Sequence, residues 1–227
     1  MSLFSRNNES DGAARDAYLH LAAAADAFEQ YANPHAVRIA AIADKIAEAF
    51  HLAPRDRKSL RIAARMHDLG EVAMERDYIK RAGSLTNEER VDLQRHPVIG
   101  EQEAARASAD RDVQLLVRWH HEWWNGSGYP DALSQNEIPL AARILRVADA
   151  YAALTDARPY RPAMTEDKAR AQLIERAAIE FDPGIVSVLL ALPDIEELRS
   201  FAKTGEAVAR IPAANENGAS LFSSFMR

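Results

Sequence analysis

The chain has 227 residues, 48% hydrophobic and 27% charged, which is the balance of a globular protein with one ordinary domain and extensions. It contains no cysteine, which excludes a disulfide scaffold, thiolate zinc ligation, iron–sulfur clusters and a cysteine nucleophile. A net charge of −6 argues against broad binding to DNA, RNA or a membrane surface, but not against an anionic small molecule in a pocket whose local field is reversed by cations.

From the N-terminus, MSLFSRNNESDG lacks a basic-then-apolar pattern, and no apolar run approaches the roughly 18 residues of a membrane helix. The expectation is a cytoplasmic protein. The first ten or so residues read as mobile, as does the tail from about Ile211. Apolar residues recur at three- and four-residue spacing without strand-like alternation, so the predicted class is all-α. A helix over Asp11–Tyr31 has apolar positions that suit either dimerisation or packing on its own domain. In Ala36–Phe50 the residues Ile39, Ile42, Ala43, Ile46, Ala47 and Phe50 line one helical face. Pro54 starts the next helix, which carries Leu60, Ile62 and Met66 toward Gly70. Thr86 and Glu89 have capping-box spacing and open a helix through Val91 and Leu93. Pro97 breaks or kinks the chain, and another helix is predicted over Asp110–His121. Asn125–Gly126–Ser127–Gly128–Tyr129–Pro130 reads as a loop. Helices follow over Ile138–Leu154 and Glu166–Glu180, and Asp182–Pro183 reads as the cap and first residue of a helix through Leu192.

The histidines carry the chemistry. His67–Asp68 ends one apolar helix, and His120–His121 ends another just before the glycine loop. Asp149 lies on the apolar Ile138–Leu154 helix, where an unpaired carboxylate is costly. Helix ends and buried faces that gather imidazoles and carboxylates suit a cation with mixed nitrogen and oxygen ligands. Each residue also has a plain structural reading. His35 is open to a helix-start role, with Asn33 as cap and Pro34 first. His96 is open to the role of a helix C-terminal cation, Asp149 to partnership with an arginine, and Tyr129, Trp123 and Trp124 to packing. His20 and His51 are left to ordinary structural roles. Taken together, five histidines and two aspartates at helix ends and faces call for a common explanation.

The ordered segments HDLGEV, LTNEERVDLQRHPVIGE, HHEWWNGSGYP and IPLAARILRVADAYAALTDARPYR resemble the motifs of the HD-GYP family, a branch of the HD metal-dependent phosphohydrolases. The resemblance covers Asn33 to Leu192. It implies a helical HD-type bundle around a dinuclear metal site, with residues 33–195 as the catalytic domain, 1–32 as an N-terminal extension and helix, and 196–227 as a C-terminal extension. It implies a signalling hydrolase that cleaves cyclic di-GMP, or a related cyclic dinucleotide, by attack of a metal-bridging hydroxide.

Position by position, it implies that His35, His67, Asp68 and Asp149 hold one divalent ion and that His96, His120 and His121 hold a second, with Asp68 bridging. His67 and Asp68 are then the catalytic signature pair. Nitrogen and carboxylate donors without thiolate suit iron or manganese. Tyr129, Arg158 and Arg161 correspond to substrate contacts, and Gly126 and Gly128 let the loop backbone approach the ligand. Arg143 is open to ligand contact or to a structural salt bridge. Regulation is expected from a partner protein, the N-terminal helix or expression, and the expected protein partner is a second copy or a regulatory protein.

Four positions depart from the family pattern. Glu71 stands for the usual Lys, Tyr31 for a third-metal Glu, Asn125 for the Asp before the glycine loop, and Ala152 for an Asp after Asp149. The first and the last motivate an alternative, a weak or inactive cyclic-dinucleotide sensor. A phosphohydrolase for another nucleotide is the third reading, against which the GYP loop speaks.

Overall fold

A computed structural model describes residues 18–31, 34–159, 161–193 and 195. The expected mobile ends, Asn33 and residues 11–17 of the first predicted helix lie outside these described residues. Residues 18–28 are helical (α1). Ten helices follow: α2 (His35–Ala49), α3 (Pro54–Met66), α4 (Leu69–Met74), α5 (Asp77–Lys80), α6 (Asn87–Leu93), α7 (His96–Arg106), α8 (Arg111–Trp119), α9 (Leu140–Thr155), α10 (Glu166–Glu175) and α11 (Pro183–Ala191). Among the described residues the extended pairing is limited to two isolated bridges, Arg158 with Arg161 and Ala177 with Phe181. No helix among them is long and apolar enough to cross a membrane.

α2 buries the predicted stripe of Ile39, Ile42, Ala43, Ile46 and Ala47. α9 is buried on nearly every side, with Ala142, Ile144, Leu145, Val147, Ala148, Tyr151 and Ala152 all inaccessible, as expected of a helix that runs through the core. α2 packs against α3 and α9, α3 against α8, and α7 against α4 and α8. Each large aliphatic side chain so buried contributes about 1.5–3 kcal/mol.

Several element ends differ from the pattern read in the sequence, each for a local reason. The helix from Pro54 stops at Met66, because Asp68 leaves helical geometry (φ −101°, ψ 15°) before α4 begins. A Cβ on Gly70 would stand 1.9 Å from the His96 carbonyl oxygen, so glycine is what lets α4 lie against α7. His96 does not end a helix. It opens α7, with Pro97 in the first turn, where a missing N–H costs nothing. α2 starts at His35 with Pro34 in the cap position, and the amide of Ala36 donates to Asp26 of α1 at 3.0 Å. The predicted Glu166–Glu180 helix ends at Glu175. The chain then turns through Ala178 (φ 63°), which carries Glu180 and Phe181 inward. The Thr86–Glu89 capping box is formed, and Asp182 caps α11 by accepting from the Gly184 amide.

Candidate metal centre

Asp68 occupies the N-cap position of α4 but makes no side-chain cap hydrogen bond, so its carboxylate is available to the interior. One oxygen, Oδ2, lies 2.7 Å from His67 Nε2, and that nitrogen is 3.8 Å from Asp149 Oδ1. The other, Oδ1, lies 3.5 Å from His96 Nε2 and 3.6 Å from His120 Nε2. Donor atoms of Asp68, His96, His120 and His121 all fall within 4.8 Å of one another. A single carboxylate therefore faces two groups of imidazoles, with α3, α7, α8 and α9 each delivering members from a helix end or a buried face.

The tautomers follow from the backbone. Nδ1 of His67 donates to the Ala64 carbonyl (3.0 Å), that of His96 to Leu93 (2.8 Å) and that of His120 to Val117 (2.6 Å). Each Nδ1 thus carries a proton and each Nε2 faces inward. His96 Nε2 and His120 Nε2 are 3.2 Å apart, and both face Asp68 Oδ1. Imidazole nitrogens converging beside a carboxylate suit a cation among them, so the donor set fits a divalent metal ion. Burial lowers the His96 pKa to about 4 and holds His121 well below the usual imidazole range, so both are neutral donors at neutral pH.

His35 lies at the edge of this centre, 1% exposed, with Nδ1 2.7 Å from Asp156 Oδ2. Arg38 holds the other Asp156 oxygen at 2.7 Å. Asp156 is the carboxylate that orients His35, a residue the sequence reading missed. Its signal was weak, because the spacing to His35 is long and the expected acidic position, Ala152, is packed in the core.

A cleft of about 450 Å³ opens beside the centre, within the usual range for a small-molecule site. Asp68, His121 and Asp149 form its floor, and Glu29, Tyr31, Glu71, Arg146, Arg158 and Glu180 are among its walls. Glu71 therefore points into the cleft. Burial, then the charge of Asp68, raises its carboxyl pKa well above the ordinary value. Arg158 donates to Glu29 and to the Tyr31 hydroxyl and lies over the Tyr31 ring, 4.1 Å from its centroid. Tyr31 in turn stacks on His35 at 3.6 Å. Burial, then Glu29, pushes the Tyr31 phenol pKa up, so it remains protonated. Arg161 is not on the cleft wall. Its side chain donates to the Ala153 carbonyl and its backbone pairs with Arg158.

The glycine loop is tied to the centre through Tyr129. Tyr129 stacks on His121 with ring centroids 4.9 Å apart, and its amide donates to the His121 carbonyl. A Cβ on Gly128 would meet the Trp123 amide nitrogen at 2.2 Å, so the close approach made there is to the chain's own backbone. Buried Glu122 accepts from the amides of Asp131 (2.7 Å) and Leu133 (3.0 Å) and fastens the loop. Asn125 accepts from the Ser127 amide. Arg143 settles into a salt bridge with Asp182 at 2.6 Å. Glu29, Arg146 and Glu180 were not legible in the sequence as wall residues, since nothing in their spacing separates them from ordinary helix-surface charge.

Residues 21–185 match the HD domain family, and the chain belongs to it. It is 36% identical over 191 residues to the cyclic di-GMP phosphodiesterase response regulator RpfG of Xanthomonas campestris pv. campestris, covering 83% of this chain and 50% of the relative. It is 31% identical over 174 residues to 3'3'-cGAMP-specific phosphodiesterase 2 of Vibrio cholerae, covering 75% of this chain and 33% of the relative. The chain thus spans half or less of these curated relatives. Its fold is similar to that of the solved cyclic GMP-AMP specific phosphodiesterase V-cGAP3 of V. cholerae, with a TM-score of 0.67 at 18% identity over 88% of this chain and 54% of that one.

Proposed function

We propose that this chain is the catalytic unit of a metal-dependent phosphodiesterase that opens a phosphodiester bond of cyclic di-GMP or of a related cyclic dinucleotide such as 3'3'-cGAMP. The observation that carries the reading is the Asp68 carboxylate, which turns one oxygen to each of two imidazole groups at the floor of a cleft. The names of the relatives at 36% and 31% identity support the substrate class.

In this reading His35, His67, Asp68 and Asp149 would hold one divalent cation, and Asp68, His96, His120 and His121 a second. The donors are nitrogen and carboxylate oxygen without sulfur, which supports iron or manganese. Two such ions supply neutralisation of phosphodiester charge and acidification of water. The chain's own residues do the rest. Asp156 and the carbonyls of Ala64, Leu93 and Val117 fix the imidazole tautomers. Asp68 and His67 set the reacting centre. Tyr129, held on His121, and Arg158, on the cleft wall, bind and orient the dinucleotide, with Gly128 and Arg161 fixing the backbones that carry them. The catalytic domain over residues 33–195 takes part of its cleft wall from Glu29 and Tyr31. The cytoplasmic setting and a homodimer or regulatory protein partner belong to the same proposal.

The test is hydrolysis of cyclic di-GMP and 3'3'-cGAMP by protein loaded with Mn²⁺ or Fe²⁺, with bound metal counted. Formation of linear dinucleotide or mononucleotide is expected. Absence of product from demonstrably metal-bound protein overturns the enzyme reading. Tight binding without turnover would turn it into a sensor on the same site, with Glu71 in the cleft as its cause.

A further inference from the structure

Four arginines line the cleft: Arg81, Arg146, Arg158 and Arg176. Arg81 is half-exposed and paired with Glu89 at 2.7 Å. Arg158 is engaged by Glu29 and Tyr31. Arg176 is 40% exposed, donates to Glu180 and lies over the Trp123 ring. Of the four, Arg146 is the one set against the metal centre. It stands one helical turn before Asp149 on α9, donates to Asp149 Oδ2 at 3.0 Å and to Glu180, and its side chain is only 14% exposed. Its positive charge bears on both His121 and Tyr129.

We propose that Arg146 grips a phosphate oxygen of the dinucleotide beside the metal centre. This rests on the phosphodiesterase reading and names a residue for its substrate contact. Five carboxylates line the cleft, Glu29, Asp68, Glu71, Asp149 and Glu180, so a ligand with two phosphate charges gains from each cation fixed among them. Glu180 is shared by Arg146 and Arg176, one oxygen to each. Asp149 balances the remaining guanidinium charge. Once Asp149 serves a cation, that balance is withdrawn and the surplus positive charge lies on Arg146, next to the reacting centre. The Arg146 Nε is also buried without an acceptor, so protein groups leave part of its donor capacity unused. A planar guanidinium suits a phosphate because it can present two parallel N–H donors.

The experiment compares wild type, Arg146→Met and Arg146→Lys. Equilibrium dialysis of Mn²⁺-loaded protein against the hydrolysis-resistant phosphorothioate analogue of cyclic di-GMP reads binding. Steady-state hydrolysis of cyclic di-GMP reads KM and kcat, and elemental analysis reads manganese per chain. Arg146→Met is expected to weaken analogue binding at least tenfold and to raise KM, with manganese unchanged. Arg146→Lys, which keeps the charge and most of the volume, is expected to fall between the two. Affinity within twofold of wild type in both variants overturns the proposal. So does loss of manganese in step with activity, which would make Arg146 a tie for Asp149. A wild type that neither binds the analogue nor cleaves cyclic di-GMP removes the phosphodiesterase reading and this inference together. Wild-type turnover with unaltered variants removes this inference alone.

Discussion

His67 shows how much one side chain's charge state is set by its neighbours. Burial works against its protonation, but Asp68 and Asp149 outweigh burial and lift its pKa to about 10 in the metal-free chain. The sign of the consequence is fixed. A cation arriving at neutral pH has to displace the His67 proton, so Mn²⁺ affinity should rise close to tenfold per pH unit between pH 7 and 9. Calorimetric titrations in buffers of different ionisation enthalpy would show about one proton released per chain from this residue; a flat affinity over that range would place His67 outside the site. The same raised pKa stabilises the metal-free fold fully below the ordinary imidazole pKa of 6.5, and that stabilisation is lost as pH climbs through about 10. At this scale the sequence was informative where identity alone matters. The motifs single out Asp68, His96, His120 and His121, and the fold brings their donor atoms within 4.8 Å of one another. Asp156 could not be singled out, since an aspartate beyond the end of a helix looks like any solvent-facing charge until its distance to His35 is known.

Among the elements, the junction of α4 with α7 is the one most exposed to a small change. Gly70 lies against the His96 carbonyl, and an added methyl would meet that oxygen at 1.9 Å. Gly70→Ala should therefore cost on the order of 3 kcal/mol and push His96 away from Asp68. Thermal denaturation would report the first effect, and a drop in bound metal with the His67 half retained would report the second; a variant of unchanged melting temperature would mean the helices can part freely. Helix existence was readable because periodicity and caps are local, as in the Thr86–Glu89 box and the Asp182–Pro183 start. Helix ends were not, where tertiary contacts decide them. The break at Asp68, the first turn of α7 at His96 and the early stop of α10 at Glu175 each place a side chain that the site or its walls require, against the local preference for a longer helix.

For the molecule as a whole, buried polar groups are concentrated around the metal centre, and a bound ion would neutralise charge that the fold otherwise carries at a cost. Chelation should lower stability accordingly. An ion held at 1,000 times its Kd adds about 4 kcal/mol, and in a chain of this size that shifts Tm by about 8–16 °C. Melting curves with and without a chelator test this, and coincident curves would mean that the folded chain holds no ion. The fold class and the centre of the site could be read in the sequence, whereas the cleft walls could not, because they are assembled from segments far apart along it. Arg158 and Glu29 are 129 positions apart and close the same wall. Glu29 directly follows α1, near the start of the described chain. Trimming the protein up to residue 30 would therefore do more than shorten an end: it would take the Glu29 carboxylate away from the Arg158 guanidinium and change what the opening admits.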